Sequence, residues 1–244
     1  MSRKHIASAT VTHSLSNQAV LAEDSMILEI AWFKLLPGVE EARFVEGAQH
    51  VQDHFLRRFS GRIYRELLRS DDDDQWIDSI HWRSVGDFEK AAAEILTDPD
   101  GAAIMSLIDP STIVWFHADR KRHWKTASIP QGSGYTEIQF FRLVAPGSEI
   151  EYLVPTTDEE FLAAAEAIQQ QMANQPGFSD REIFRTTDGW WLDLIHWQSK
   201  EAAESAMAKV MTEVTNPESV VTSFVSKIDP KSRKSFKMNQ GRVW

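Results

Sequence analysis

Two short segments concentrate the residue types that could do chemistry, and they share one pattern: Trp76-x-Asp78-x-Ile80-His81-Trp82 and Trp191-x-Asp193-x-Ile195-His196-Trp197. A carboxylate can serve as a hydrogen-bond acceptor or a general base, and a neighbouring imidazole can relay a proton. Tryptophan rings offer flat apolar surfaces that can sandwich an aromatic ligand. We therefore predict catalytic carboxylates at Asp78 and Asp193 and proton transfer through His81 and His196. The predicted substrate-binding residues are the four tryptophans, Trp76, Trp82, Trp191 and Trp197.

The second segment follows the first at a distance of 115 residues, and other landmarks recur in the same order. These landmarks are Glu29-Ile30 with Glu137-Ile138, Gly61 with Gly177, and Ile108-Asp109-Pro110 with Ile228-Asp229-Pro230. Self-similarity of this kind indicates a duplicated structural unit. We predict an N-terminal extension over residues 1–25, a first repeat over 26–118, a linker over 119–134 and a second repeat over 135–244.

Each repeat switches between strand and helix patterns. Residues 27–36 are typical of a strand, and apolar residues then recur at helical spacing at Phe44, Ala48, Val51 and Phe55. A hairpin of two strands follows, Ser84 or Ser199 can cap a second helix, and a last strand is expected near 111–117 or 232–238. This order is that of a ferredoxin-like βαββαβ unit. The predicted fold class is α+β, with two ferredoxin-like repeats whose antiparallel sheets face each other and whose helices lie outside.

Alternation along the third strand of each repeat divides its side chains between two faces. Trp76, Asp78 and Trp82 share one face and His81 lies on the other, and the second repeat shows the same division. We expect the tryptophan and aspartate face to line the barrel interior and the histidines to lie under the helices. Two interpretations stay open. Either the tryptophans are packing residues and each aspartate pairs with an interior arginine, or an open interior binds a flat ligand beside a catalytic aspartate.

The composition excludes several classes of function. A formal net charge of −10 and an isoelectric point near 5.3 disfavour nucleic acids and anionic membranes as partners. The chain contains no cysteine, which excludes disulfides, thiolate metal sites and cysteine nucleophiles. No stretch approaches the ~18 apolar residues of a membrane span, and no signal peptide is recognisable, so we expect a cytoplasmic protein.

Histidines supply a candidate metal site. His50 and His54 are four residues apart on the first predicted helix, close enough to share a metal ion. They point about 80–120° away from the apolar stripe of that helix. The second repeat has Ala167 and Gln171 at the matching positions. We therefore predict no metal and no other cofactor.

The third strand and the alanine-rich helix after it resemble the dimeric α+β barrel superfamily, which includes antibiotic-biosynthesis-monooxygenase-like and haem-degrading proteins. The segments that carry the resemblance are IHWRSVGDFEKAAAEI and IHWQSKEAAESAMAKV. The resemblance covers residues 26–118 and 135–238, and it implies a single-chain, fused form of the usual two-chain barrel. A homo-oligomer of such fused barrels is compatible with the sequence.

The resemblance also implies a site. In the cofactor-independent quinone-forming monooxygenases of the superfamily, an Asn and a Trp four residues later on the third strand are implicated. The matching positions are Asp78 with Trp82 and Asp193 with Trp197, so Asp replaces Asn in both repeats. An ionised carboxylate cannot donate a hydrogen bond to a developing oxyanion as an amide can.

Two functions from different classes follow from these observations. One is a cofactor-independent oxygenase or isomerase that acts on an aromatic small molecule in the barrel lumen. The other is a non-catalytic small-molecule-binding or assembly module, with haem binding as a further alternative. Catalysis needs only one competent half, so an enzyme should show repeats that differ where a ligand would lie. The repeats differ at Ser79 against Leu194 but not at the Trp and Asp positions, which favours a shared structural role for those residues.

Overall fold

The computed structural model describes residues 26–127, 134–148 and 155–244. The predicted N-terminal extension over residues 1–25 lies outside the described residues, as do residues 128–133 of the predicted linker. None of the helices in these described ranges has the length and apolar character needed to cross a membrane.

The element order is the predicted βαββαβ in both repeats, with one additional short helix before each last strand. The strands are β1 (Ile27–Lys34), β2 (Arg62–Ser70), β3 (Gln75–Trp82), β4 (Val114–Lys125), β5 (Tyr135–Phe141), β6 (Phe178–Arg185), β7 (Trp191–Trp197) and β8 (Lys234–Val243). The helices are α1 (Glu41–His54), α2 (Val85–Ile95), α3 (Pro99–Met105), α4 (Asp158–Met172), α5 (Lys200–Glu213) and α6 (Val220–Val225).

The second helix of each repeat begins at the predicted cap. Ser84 accepts a hydrogen bond from the backbone N–H of Asp87 at 3.2 Å, and Ser199 accepts one from Ala202 at 3.3 Å. These bonds satisfy N–H groups that a helix leaves unpaired in its first turn. The chain therefore turns directly from β3 into α2 and from β7 into α5.

The strands close into one barrel in the order β1-β3-β2-β8-β5-β7-β6-β4. The last strand of each repeat joins the two halves, because β4 pairs with both β1 and β6, and β8 pairs with both β5 and β2. An open sheet edge would expose unpaired backbone groups, and closure removes such edges. The predicted α+β fold class, with facing antiparallel sheets, is confirmed.

Both last strands are longer than the sequence predicts. β4 ends at Lys125 and β8 at Val243, whereas the expected ends lie near 117 and 238. Residues 119–125 belong to the predicted linker, yet they pair with β6 of the other repeat. This extension carries mostly charged residues without apolar alternation, so the strand pattern in the sequence stops before the strand does.

The structure reverses the predicted faces of β3 and β7. The tryptophans of both strands pack beneath the helices, in two cores between sheet and helices that contain Trp76 and Trp82, or Trp191 and Trp197. The barrel interior is instead filled from both repeats, by residues that include Leu28, Ile30, Ile77, Phe184, Leu192 and Leu194. Alternation separates two faces but cannot assign the inner one when both are buried. An eight-stranded barrel has an interior just wide enough to be filled by side chains.

Candidate functional site

A cavity of about 620 Å³ lies between the outer face of the second repeat's sheet and the helices that cover it. Its polar end is formed on three adjacent strands by Glu137 of β5, Arg181 of β6, and Asp193 and Trp197 of β7. Its apolar wall includes Ile168, Met172, Ile195, Val210, Val221 and Phe224. A volume of this size is typical of small-molecule sites. The cavity thus lies beneath the helices and not in the barrel lumen, where the sequence places the site.

Asp193 is held by Arg181 at the floor of this cavity. Arg181 Nε and Nη2 donate to the two carboxylate oxygens at 2.8 and 2.7 Å, and Nη1 donates to the backbone carbonyl of Ala165 at 3.1 Å. Both charged side chains are almost fully buried, and a buried charge needs such a partner. The aspartate–arginine pairing that the sequence left open therefore exists, beneath the helices rather than inside the barrel. A catalytic role for Asp193 stays a prediction.

Glu137 is a candidate functional residue that sequence reasoning missed. Trp197 Nε1 donates to Glu137 Oε2 at 3.1 Å, and the second carboxyl oxygen has no hydrogen-bond partner among the described residues. Burial raises the pKa of the Glu137 carboxyl, and the Asp193 charge adds to the rise. A buried carboxyl with a raised pKa and an oxygen that makes no hydrogen bond, beside a cavity, is a candidate general base. The sequence signal was a glutamate that recurs, as Glu29, within an otherwise apolar strand.

The first repeat contains the same groups but leaves no carboxyl oxygen of the glutamate free. Arg65 Nε and Nη2 donate to Asp78 at 2.9 and 2.7 Å. Glu29 accepts hydrogen bonds from Trp82 Nε1 at 2.7 Å and from Trp115 Nε1 at 2.9 Å. Burial raises the pKa of Glu29 to about 7. The predicted residues Asp78 and Trp82 are thus brought together, but in a fully bonded cluster.

Three positions differ between the repeats around this cluster. Trp115 of β4 lies opposite Ala31 of β1, and in the matching register Ser235 of β8 lies opposite Gln139 of β5. Phe59 matches Gln175, because the carbonyl of each accepts a hydrogen bond from the first residue of the second strand in its repeat. Phe88 matches Ala203, because each follows the serine cap of the second helix by the same number of residues. Each aromatic residue of the first repeat is replaced by a smaller or polar one in the second.

These aromatic residues pack around the cluster of the first repeat. The Phe59 ring lies 5.1 Å from that of Phe55 and 6.3 Å from that of Trp82, and the Phe88 ring lies 5.7 Å from that of Trp115. In the second repeat, Gln175 lines the cavity instead of filling it. The repeats therefore differ at three positions around the cluster, whereas its arginine, aspartate, glutamate and tryptophan are present in both.

His81 and His196 lie inside the barrel, in a buried cluster that joins the two repeats. His81 Nε2 is 2.8 Å from Glu182 Oε2, and His196 Nε2 is 3.0 Å from Glu66 Oε2. Burial alone would lower the pKa of His196, but the charges of Glu66 and Asp180 raise it to about 10. The structure thus places both histidines on the lumen side and not under the helices, because their acidic partners on the opposite repeat lie there. Proton transfer through them stays a prediction.

Comparison with solved structures addresses the fold. An anthrone oxidase-like protein superimposes with a TM-score of 0.63 at 15% identity, covering 91% of this chain and 94% of that one. A proposed monooxygenase from Lactobacillus acidophilus gives 0.63 at 12% identity, covering 90% and 95% of the two chains. A chlorite dismutase from Candidatus Nitrospira defluvii gives 0.56 at 13%, covering 91% and 94%. No protein-family model matches the chain, and no curated protein matches it in sequence.

The chain has the dimeric α+β barrel fold. The overlap spans almost the whole of both chains, so the two sheets that a two-chain barrel would contribute separately are here contributed by one chain. The fused barrel is therefore what the sequence resemblance implied. At these identities the likeness concerns the fold, and function has to be argued from the site.

Haem, the further alternative from the resemblance, does not fit the cavity of the fused barrel. The residues that line the cavity include three methionines but no histidine, tyrosine or cysteine, and methionine holds haem iron together with a histidine. His81 and His196 lie in the barrel interior, and each already contacts a carboxylate through Nε2.

Proposed function

We propose that the fused barrel is a cofactor-independent enzyme of the oxygenase type, and that it acts on an aromatic small molecule in the cavity of its second repeat. The observation that carries the proposal is the free oxygen of Glu137, a buried carboxyl with a raised pKa, on a cavity of about 620 Å³. A carboxyl of this kind is suited to removing a proton from an acidic carbon or hydroxyl group.

The walls of the cavity favour a flat, largely apolar substrate. Ile168, Ile195 and Val210 provide apolar contact, and the indole of Trp197 forms part of the polar end. Amide side chains of Gln139, Gln171 and Gln175 also line the cavity and can bond hydroxyl or carbonyl groups of a phenolic ligand. This combination of apolar walls and polar groups fits a polycyclic phenol.

Glu137 and Arg181 have different roles in the proposed reaction. Glu137 takes a proton from the reacting carbon, and the negative charge moves onto the conjugated oxygen of the substrate. Arg181 uses three of its five N–H groups on Asp193 and Ala165, so two remain to stabilise that oxyanion. The carbanion passes electrons to molecular oxygen and a C–O bond forms. The O–O bond then breaks with loss of water, so that a CH₂ group and one O₂ become a carbonyl group and one water.

The predicted site residues take separate roles under this proposal. In the second repeat, Asp193 positions Arg181, while Trp197 positions Glu137 through the bond from Nε1. In the first repeat, Asp78 and Trp82 stabilise the fold. A positioning role for Asp193 also removes the difficulty that a carboxylate cannot replace the donor function of an amide, since Arg181 supplies the donors.

The test is oxygen consumption and absorbance change with anthrone-like phenols, comparing the Glu137→Gln and Glu29→Gln variants. We expect Glu137→Gln to lose at least about 100-fold in kcat/KM, the usual contribution of a general base, and Glu29→Gln to retain activity. Equal activities in the two variants would contradict the proposal. Turnover without oxygen would indicate an isomerase, and saturable binding without turnover would indicate a small-molecule-binding module; either result would overturn the oxygenase proposal.

A further inference from the structure

A cluster of three metal-ligating side chains lies on the outside of the first repeat, on the helices and away from the barrel. His50 and His54 lie at the end of α1, and Asp100 lies in the first turn of α3. One ligand atom from each residue lies within 4.8 Å of the other two. His50 Nε2 is 3.0 Å from Asp100 Oδ1, and the two imidazole rings are 4.0 Å apart.

We propose that His50, His54 and Asp100 bind a divalent ion of the zinc class, which links α1 to α3. Two imidazoles and one carboxylate form a ligand set that suits Zn²⁺ and its neighbours, with water at the remaining position. Ligand atoms on one tetrahedral zinc ion lie about 3.4 Å apart, since each bond is about 2.0–2.1 Å long. The His50–Asp100 distance is already close to this value, and small rotations of exposed side chains bring in His54.

A contact with the helix backbone orients the imidazole of His54 for metal binding. Its Nδ1 lies 3.0 Å from the carbonyl oxygen of His50. When Nδ1–H donates to that carbonyl, Nε2 carries the lone pair and points away from the helix backbone. Metal-binding histidines are commonly oriented by such a second bond. The end of α1 also carries the negative pole of the helix dipole, which favours a cation there.

The second repeat lacks all three ligands. Ala167 and Gln171 stand at the histidine positions of α4, and α6 begins with Val220 and Val221 where α3 has its aspartate. The proposed ion site therefore belongs to the first repeat alone. Because the second repeat folds with Ala and Gln at those positions, His50→Ala and His54→Gln are substitutions that the same helix position already tolerates.

The test is zinc titration of the metal-stripped full chain by calorimetry, together with the visible absorption of added Co²⁺. We expect one ion per chain, and a Kd at least about tenfold weaker in His50→Ala, His54→Gln and Asp100→Asn. His117→Gln serves as the control, since His117 packs against Phe88 outside the cluster and its loss should leave the affinity unchanged. At one zinc concentration, the melting temperature should rise by the same amount in the wild type and the control and by a smaller amount in the three ligand variants.

Two results would overturn the proposal. One is the absence of saturable binding. The other is unchanged zinc affinity in both His54→Gln and Asp100→Asn, because the metal would then bind to other groups. Weakening in the histidine variants alone would replace the three-ligand site by a two-histidine chelate and would remove the link between α1 and α3.

Discussion

The two repeats of the barrel place the same buried groups beneath their helices but differ in what surrounds them. Each has an arginine that holds an aspartate in two hydrogen bonds, and each has a glutamate bonded to a strand tryptophan. The first repeat packs Phe59, Phe88 and Trp115 around this cluster. The second repeat, with Gln175, Ala203 and Ser235, keeps a cavity and a glutamate with a free oxygen. The two repeats thus share the same buried arginine, aspartate, glutamate and tryptophan, and the second repeat has a cavity beside these residues.

The largest expected difference between the repeats concerns their ion pairs. Asp193→Asn should lower the free energy of unfolding by about 3–5 kcal/mol, since it leaves the charge of Arg181 buried without its partner. Asp78→Asn should cost less, because the Asp78 side chain is 21% exposed against 3% for Asp193, and water can compensate. Urea denaturation measures both values. Equal losses would show that the greater exposure of Asp78 does not compensate the charge left on Arg65.

Phe59 and Gln175 occupy matching positions, so exchanging them should weaken ligand binding in the second repeat and lower stability in the first. Gln175→Phe should fill the cavity and weaken the binding of an anthrone-like phenol at least about tenfold, because the ring would occupy the ligand volume. Phe59→Gln should cost about 2 kcal/mol of stability, less than a fully buried Phe because Phe59 is only half-buried. Fluorescence titration and urea denaturation test the two halves of this prediction. Undiminished ligand binding in Gln175→Phe would place the ligand elsewhere.

The buried histidine cluster predicts a loss of stability at alkaline pH. The folded pKa of His196 is about 10, above the value of about 6.5 expected when unfolded, so the folded state holds the proton more tightly. The stabilising contribution is complete below about pH 6.5 and is lost as the pH rises through about 10. Urea denaturation between about pH 6 and 9.5 should show this decline in the wild type and a flatter profile in His196→Gln. A wild-type profile as flat as that of the variant would be inconsistent with a protonated His196.

Acidic pH should also reduce the stability that this buried cluster contributes to the folded state. Burial alone would raise the pKa of Glu66, but the charge of His196 lowers it, and the hydrogen bonds of His123 and His196 likewise lower the pKa of Asp180. Their stabilising contribution is present above the unfolded carboxyl pKa of about 4 and is lost as the pH falls below it. The stability maximum should therefore lie between about pH 4.5 and 6.5.

The smallest expected effect comes from giving the first repeat the serine of the second. Trp115→Ser removes one hydrogen bond to Glu29, and that bond lowers the pKa of the carboxyl. The pKa of Glu29 should therefore rise above about 7, while the free energy of unfolding should change by less than about 1 kcal/mol because Trp115 is 46% exposed. A carboxyl NMR titration measures the pKa. A fall in that pKa would show that water admitted by removing the indole stabilises the charged form more than the lost hydrogen bond did.

The sequence predicts the order of strands and helices because the same pattern occurs in both repeats. The strand and helix periods, the serine caps at Ser84 and Ser199 and the recurring landmarks all agree on one element order, and the barrel follows from burying two sheet faces against each other. The sequence does not predict where β4 and β8 end. Residues 119–125 pair with a strand of the other repeat, and a local sequence pattern does not indicate such a long-range contact.

The candidate site is predicted only in part. The sequence finds Asp193 and Trp197 because they recur in a conspicuous pattern, and the structure places both at the cavity. It assigns them to the wrong face, since alternation is symmetric between faces. It misses Glu137, because the functional interest of that residue depends on which side chain stands at the position of Trp115 in the second repeat. That position is occupied by Ser235, and only the pairing of the strands shows this equivalence.

The central claim is that the second repeat, and not the lumen or the first repeat, holds the ligand. A crystal structure of the fused barrel with a bound tricyclic phenol tests it most directly. We predict ligand density beneath α4 and α5, with one ligand oxygen near Arg181 and the reacting carbon facing Glu137. Density in the barrel interior, or between Trp82 and the helices of the first repeat, would contradict the account.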